Sequence, residues 1–256
     1  MNPFPLAIRP RWVASLRIGA DMGQGKPVAV VAGAGPGNGA ALARRFAAGG
    51  YAVAVLARDI DKLTGLTSKV EGTFPYACDV GDAASVAAVF AAIGSDLGPV
   101  SALLYNAGSG VFKSVEEITP AEFEASWRVN AYGALLCSQA VVPAMKARGS
   151  GSILFTGATA SLRGGKRTAA FAPAKAAQRS LAESMARTLW PAGIHVALMI
   201  VDGVVDLPAT RKAMAGKEDD FFVDPEGLAE TAWFLAHQDR QAWSFEVEVR
   251  PYGENW

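Results

Sequence analysis

Val28-Ala29-Val30-Val31-Ala32-Gly33-Ala34-Gly35-Pro36-Gly37-Asn38-Gly39-Ala40-Ala41-Leu42-Ala43-Arg44-Arg45 decides how the rest of the chain is read. Five apolar, mostly β-branched residues form a strand, and a glycine string follows. An amphipathic helix then runs from Ala40 to Ala48 with Arg44 and Arg45 outward. Glycines let the backbone turn sharply and come close to a phosphate, while a helix N-terminus offers unpaired N–H groups and partial positive charge. A glycine string alone also fits an ordinary turn. Between a strand and a helix it points to nucleotide binding, with Gly33, Gly35, Gly37, Asn38 and Gly39 as the contacts.

Outward from this stretch, strands and Ala-rich helices alternate. Strands are expected at Tyr51–Leu56, Thr73–Ala77, Val100–Tyr105, Ser152–Thr156, Ile194–Ile200 and Phe245–Val249. Helices are expected at Asp59–Lys69, Ala83–Asp96 and Ala170–Leu189, and from Asp224-Pro225-Glu226 to His237. Thr119-Pro120-Ala121-Glu122 is a capping box that opens a long helix reaching Lys146. This order implies the α/β class: a Rossmann-type, doubly wound parallel sheet of about seven strands, with helices on both faces. Residues 27–256 read as a single domain. Residues 1–26, basic and without an acid before Asp21, read as an extension, disordered or preceding a native start at Met22. The stretch from Val204 to Val223 is the least regular and is read as a lid.

Composition narrows the functions. Lys+Arg and Asp+Glu are both 24, so the basic excess of a general nucleic-acid binder is missing. No uninterrupted apolar run reaches the roughly 18 residues of a membrane-spanning helix. Two cysteines, Cys78 and Cys137, make no disulfide framework and suit a reducing cytoplasm. With two histidines, no metal-ligand cluster can be drawn.

The second strand ends Leu56-Ala57-Arg58. An acid there would hold the ribose 2′-hydroxyl of NAD, whereas Arg58 suits the 2′-phosphate of NADP. The neighbouring Asp59 is better placed to cap the next helix. NADP is therefore expected ahead of NAD.

From about Val28 to Val249 the chain resembles the short-chain dehydrogenases/reductases. Their Thr-Gly-x-x-x-Gly-x-Gly loop matches Gly33, Gly37 and Gly39, with Ala32 in place of Thr and Asn38 where an aliphatic residue is common. The adenine-contacting acid after the third strand matches Asp79 in Cys78-Asp79-Val80. Asn-Ala-Gly after the fourth strand matches Asn106-Ala107-Gly108. The family's helical Asn matches Asn130, and the Lys of Tyr-x-x-x-Lys matches Lys175. Each residue has a plainer alternative: Asp79 as a helix cap, Asn106 and Gly108 as turn residues, Asn130 as a buried backbone ligand, Lys175 as a solvated surface lysine.

The resemblance implies a Tyr that protonates the substrate oxygen during hydride transfer and a Ser that positions that oxygen. It also implies a Lys that lowers the Tyr pKa and holds the ribose, and an Asn that keeps a water-linked proton path. Here the motif reads Phe171-Ala172-Pro173-Ala174-Lys175, and 13 residues before Phe171 stands Ala158. Both hydroxyls are missing, and Phe cannot be a general acid. No tyrosine lies between Tyr132 and Tyr252, which excludes a slipped motif. Thr156, Thr159 and Ser161 are nearby hydroxyls, and Asp202 stands where the family has Pro, with Asp206 just beyond. Asn130 and Lys175 remain as catalytic candidates. Lys175 either donates a proton itself or serves only the cofactor.

Two functions are carried forward. One is an NADP(H)-dependent oxidoreductase of altered mechanism acting on a small or apolar carbonyl or alcohol. The other is a catalytically inactive NADP(H)-binding sensor or partner subunit. A cytoplasmic homodimer or homotetramer is expected, since the resemblance places dimer contacts on the long helices.

Overall fold

A computed structural model describes residues 25–253. The expectation for residues 1–26 lies, but for its last two positions, outside them.

Seven strands form one parallel sheet: β1 (Val28–Ala32), β2 (Ala52–Ala57), β3 (Thr73–Ala77), β4 (Val100–Tyr105), β5 (Gly151–Ala158), β6 (Ile194–Val201) and, last in the chain, β9 (Glu246–Val249). Two-residue strands β7 (Val204–Val205) and β8 (Phe222–Val223) pair separately, in parallel. The sheet order is β3-β2-β1-β4-β5-β6-β9, so the winding reverses between β1 and β4. Residues of β1 are buried on both faces, as a parallel strand sandwiched between helices requires.

Each face has its own core. On one, Val28, Val30 and Ala32 join Phe90 and Ile93 of α3 (Ala83–Asp96), Val141 and Met145 of α5 (Gly133–Arg148), and Ala182 of α6 (Phe171–Leu189). On the other, Ala29 and Val31 join Leu42 and Phe46 of α1 (Asn38–Ala48), Leu63 of α2 (Ile60–Thr67), and Leu228 and Leu235 of α8 (Pro225–Ala236). Caps stand where the sequence puts them: Asp59 accepts from the Lys62 amide, Asp224 accepts from the amides of Glu226 and Gly227, and Thr119 and Glu122 close a capping box. Cys78 and Cys137 are free and buried. No helix of the described residues is long and apolar enough to cross a membrane.

The two border strands are poor templates for further pairing. β3 carries Pro75, which has no N–H to give. β9 has four residues, and its Glu246 is held by Arg179 at 2.6 Å.

The expected single helix from Thr119 to Lys146 is a correction. It is three pieces: α4 (Pro120–Trp127), a π-turn over Arg128–Tyr132, and α5. Three carbonyls there are engaged by side chains. The Tyr105 hydroxyl donates to Val129 O, Asn130 Nδ2 donates to Ser126 O at 2.9 Å, and Gln178 Nε2 donates to Asn130 O at 2.9 Å. Such competition for the ladder is what produces a π-turn, a feature common at functional sites.

Candidate active site

The glycine loop sits at the topological switch point, the usual ligand crevice of an open α/β sheet. Gly33 has φ +90°, and a Cβ there would lie 2.4 Å from the Ala107 backbone. A Cβ on Gly39 would lie 2.5 Å from Gly33 O, so the start of α1 packs directly on the loop. A Cβ on Gly35 would meet nothing within 4 Å. No side chain caps α1 and no acid sits in its first turn. Asn38 Oδ1, at that helix start, is buried without a partner among the described residues. An open glycine, an uncapped helix start and a buried lone acceptor are features that a dinucleotide's diphosphate and its neighbouring groups would fit.

The other expected residues converge on this crevice to different degrees. Asn106 ties the end of β4 to the loop: its amide donates to Ala32 O and its Nδ2 to Gly33 O, both at 2.8 Å. Ala107 packs against Gly33, and Gly108 is exposed. Arg58 lies exposed just past β2, with no ion pair among the described residues. Asp79 is exposed, and its Oδ1 accepts from the Gly81 amide at 2.9 Å. Its alternative reading as the cap of α3 is corrected, since Asp82 caps that helix. Val80 is buried, and its carbonyl lies 2.6 Å from the position a Cβ on Gly133 would take.

Asn130 and Lys175 are both buried and border one space inside the protein. Asn130 is fully buried, and Oδ1 lacks a partner among the described residues. Lys175 is not a surface lysine. It is 4% exposed, and Nζ donates to Thr156 O at 2.7 Å and Gln178 Oε1 at 3.1 Å. Burial without a countercharge pulls its pKa down to about 7. A Cβ on Gly108 would lie 3.4 Å from Asn130 Oδ1 and 3.8 Å from Lys175 Nζ, so both atoms border the same space.

Above them stands Phe171, the first residue of α6, with its ring centroid 6.0 Å from Nζ. Its ring contacts that of Phe112 at 5.5 Å. Ala158 ends β5 and contributes no hydroxyl. Among the nearby hydroxyls, Ser161 Oγ accepts from the Ala158 amide, and Thr159 donates to Asp202. Asp202 is 7% exposed and ion-paired with Arg250 at 2.5 Å. Asp206 is paired with Arg211 at 2.6 Å, and that guanidinium holds its carboxyl below the usual range. Both aspartates are thus engaged in ion pairs, and for Asp206 the pairing favours the charged form and opposes service as a proton donor near neutrality. The segment 204–223, which carries α7 (Pro208–Ala213), reaches over the glycine loop, where a Cβ on Gly37 would meet Leu207 Cδ2 at 2.2 Å.

Sequence reading missed Gln178 and Gly133. Gln178 lies three residues after Lys175 on one helix, a spacing that puts the two side chains on one face. Gly133 is required by close packing: a Cβ would lie 2.5 Å from the Tyr105 hydroxyl.

The family model for short chain dehydrogenases matches residues 27–218. A 3-oxoacyl-acyl-carrier-protein reductase of Mycobacterium tuberculosis is 31% identical over 182 residues, spanning 71% of this chain and 70% of that protein. Among solved structures, a short-chain dehydrogenase from Rhodopseudomonas palustris matches with a TM-score of 0.76 at 35% identity, covering 88% of this chain and 98% of its own. A metagenomic short-chain oxidoreductase in complex with NADP matches with a TM-score of 0.77 at 28% identity, covering 90% and 99%.

Proposed function

The chain belongs to the short-chain dehydrogenase family, and from that premise we propose that it is an NADP(H)-dependent oxidoreductase of a small or apolar carbonyl or alcohol, with Lys175 in place of the missing tyrosine as proton donor. The observation that carries this reading is the buried Lys175 amine, whose pKa is drawn down to about 7. A donor poised near working pH is what general acid catalysis needs. When bound, the nicotinamide cofactor would supply the hydride.

The chain's own residues do the rest. Gly33, Gly35, Gly37, Asn38 and Gly39, with the start of α1, hold the diphosphate. Arg58 grips the 2′-phosphate, while Asp79 and Val80 border the adenine. Asn106, Ala107 and Gly108 keep the floor of the crevice. Phe171 and Phe112 give the substrate an apolar wall. Lys175 moves a proton at Nζ, with Asn130 beside it. The NADP-bound relative supports a nicotinamide dinucleotide in general. The preference for NADP over NAD rests on Arg58, and Arg58→Ala is expected to weaken NADPH binding by about tenfold while leaving NADH nearly unchanged. Titration of both by nicotinamide fluorescence measures it.

Phe171 and Ala158 favour a second reading, a sensor or partner subunit that binds NADP(H) without turnover. Assay of NADPH oxidation against aldehydes, ketones and diketones separates the two: turnover supports the reductase, and binding without turnover at any pH supports the sensor. Phe171→Tyr with Ala158→Ser is expected to raise carbonyl reduction by about 10²-fold, the ordinary worth of a general acid. The cytoplasm suits two buried free thiols. We infer a homodimer or homotetramer through the faces of α5 and α6, which equilibrium sedimentation tests.

A further inference from the structure

We propose that Gln178 is the positioning residue of this site: its carboxamide straps the Lys175 amine to the π-turn and leaves, on the Gly108 side, the one N–H position through which the amine exchanges a proton. The inference rests on the reading of Lys175 as donor, but its first test does not require turnover.

The polarity of the strap is fixed by chemistry. Asn130 O can only accept, so the end of the Gln178 side chain that meets it at 2.9 Å must be Nε2. Oε1 then faces Lys175 Nζ at 3.1 Å and can only accept from it. Thr156 O takes a second N–H at 2.7 Å. Two of the amine's positions are committed whether it is charged or neutral. The third holds a hydrogen in the ammonium and a lone pair in the amine. The space bordering Nζ near Gly108 also borders the partnerless Oδ1 of Asn130.

A carboxamide neither takes up nor releases a proton near neutrality, so the inner side of Lys175 is closed to proton traffic. Donation breaks the third N–H bond, forms an O–H bond on the substrate oxygen whose carbon receives the hydride, and leaves the electron pair on Nζ. The amine recovers its proton from water entering by the same face. Gln178 is fully buried, a costly place for a carboxamide unless both its ends are used. The groups facing Nζ are Thr156 from β5, Phe171 and Gln178 from α6, Gly108 from the loop after β4, and Asn130 from the π-turn. None is charged, and burial alone accounts for the lowered pKa.

The test follows the titration of Lys175 by NMR in protein labelled at lysine Cε, with the signal assigned by its loss in Lys175→Met. In Gln178→Glu a carboxylate meets Nζ, and the midpoint is expected to rise by about 1–3 pH units. In Gln178→Leu an acceptor that favours the ammonium is lost, and the midpoint is expected to fall by about 1 unit. The pH profile of carbonyl reduction should move with it in each case. Opposite shifts in two folded variants are not produced by packing alone. A midpoint within about half a unit of the parent in both overturns the proposal. Opposite shifts in a protein that reduces no carbonyl uphold the strap and overturn the reductase reading instead.

Discussion

Lys175→Met is expected to lower carbonyl reduction by about 10²–10⁴-fold and, at the same time, to make the folded protein more stable at neutral pH. The first effect follows from removing the buried amine at the heart of the site. Phe171 and Ala158 offer no proton, and Asp202 and Asp206 are engaged with Arg250 and Arg211. NADPH affinity measured alongside separates lost chemistry from a lost ribose contact.

The second effect comes from linkage. In the unfolded chain Lys175 titrates near the ordinary lysine value of 10.5, and in the folded protein near 7. Between these limits the unfolded state binds more protons, so parent stability rises with pH across the window, by about 1.4 kcal/mol per unit at most from this group. Below about pH 7 both states are protonated and the full burial cost is present. Methionine removes the cost and the slope together. Urea unfolding at several pH values should show a steeper rise between pH 7 and 10 for the parent than for the variant, and equal slopes would count against a neutral buried amine.

Gly33→Ala is expected to be the most damaging substitution in the cofactor crevice. The φ of +90° is strained for alanine, and its Cβ would lie 2.4 Å from the backbone of Ala107, which no side-chain rotation relieves. A loss of about 3 kcal/mol or more is expected, lowering the Tm by about 6–12 °C for a chain of this size. NADPH binding should fail as well, since the loop and Asn106 share the Gly33 carbonyl. Gly35→Ala is the control. Nothing lies within 4 Å of the added methyl, so stability should hardly change, while a phosphate in that open space would be displaced and NADPH affinity should fall. Thermal melts with and without NADPH distinguish the pair. Equal destabilisation by both substitutions would remove the argument from close packing.

The alternating architecture was legible because each strand of a doubly covered sheet reads as an apolar run, and several helix starts carry a local cap, as at Asp59, Thr119 and Asp224. β1, β3, α3 and β4 have the bounds expected from the residues. The π-turn was not legible, because its cause is tertiary: Tyr105 and Gln178 reach it from other elements, and the helical periodicity on either side continues unbroken. The same holds for the chemistry. Lys175 could be found from its motif, but its burial depends on β5 and the π-turn meeting around it. The roles of Asp202 and Asp206 were open in the sequence because their partners Arg250 and Arg211 are matched to them only by folding.

The borders of the sheet set how copies of this protein can meet. A second chain that tried to extend the ladder beyond β3 would find Pro75 interrupting the row of donors, and at β9 it would find four residues flanked by engaged carboxylates. Strand-by-strand growth into fibrils is therefore resisted at both ends. The assembly proposed through α5 and α6 would use the helical flanks instead, where contacts can close into a finite particle rather than propagate.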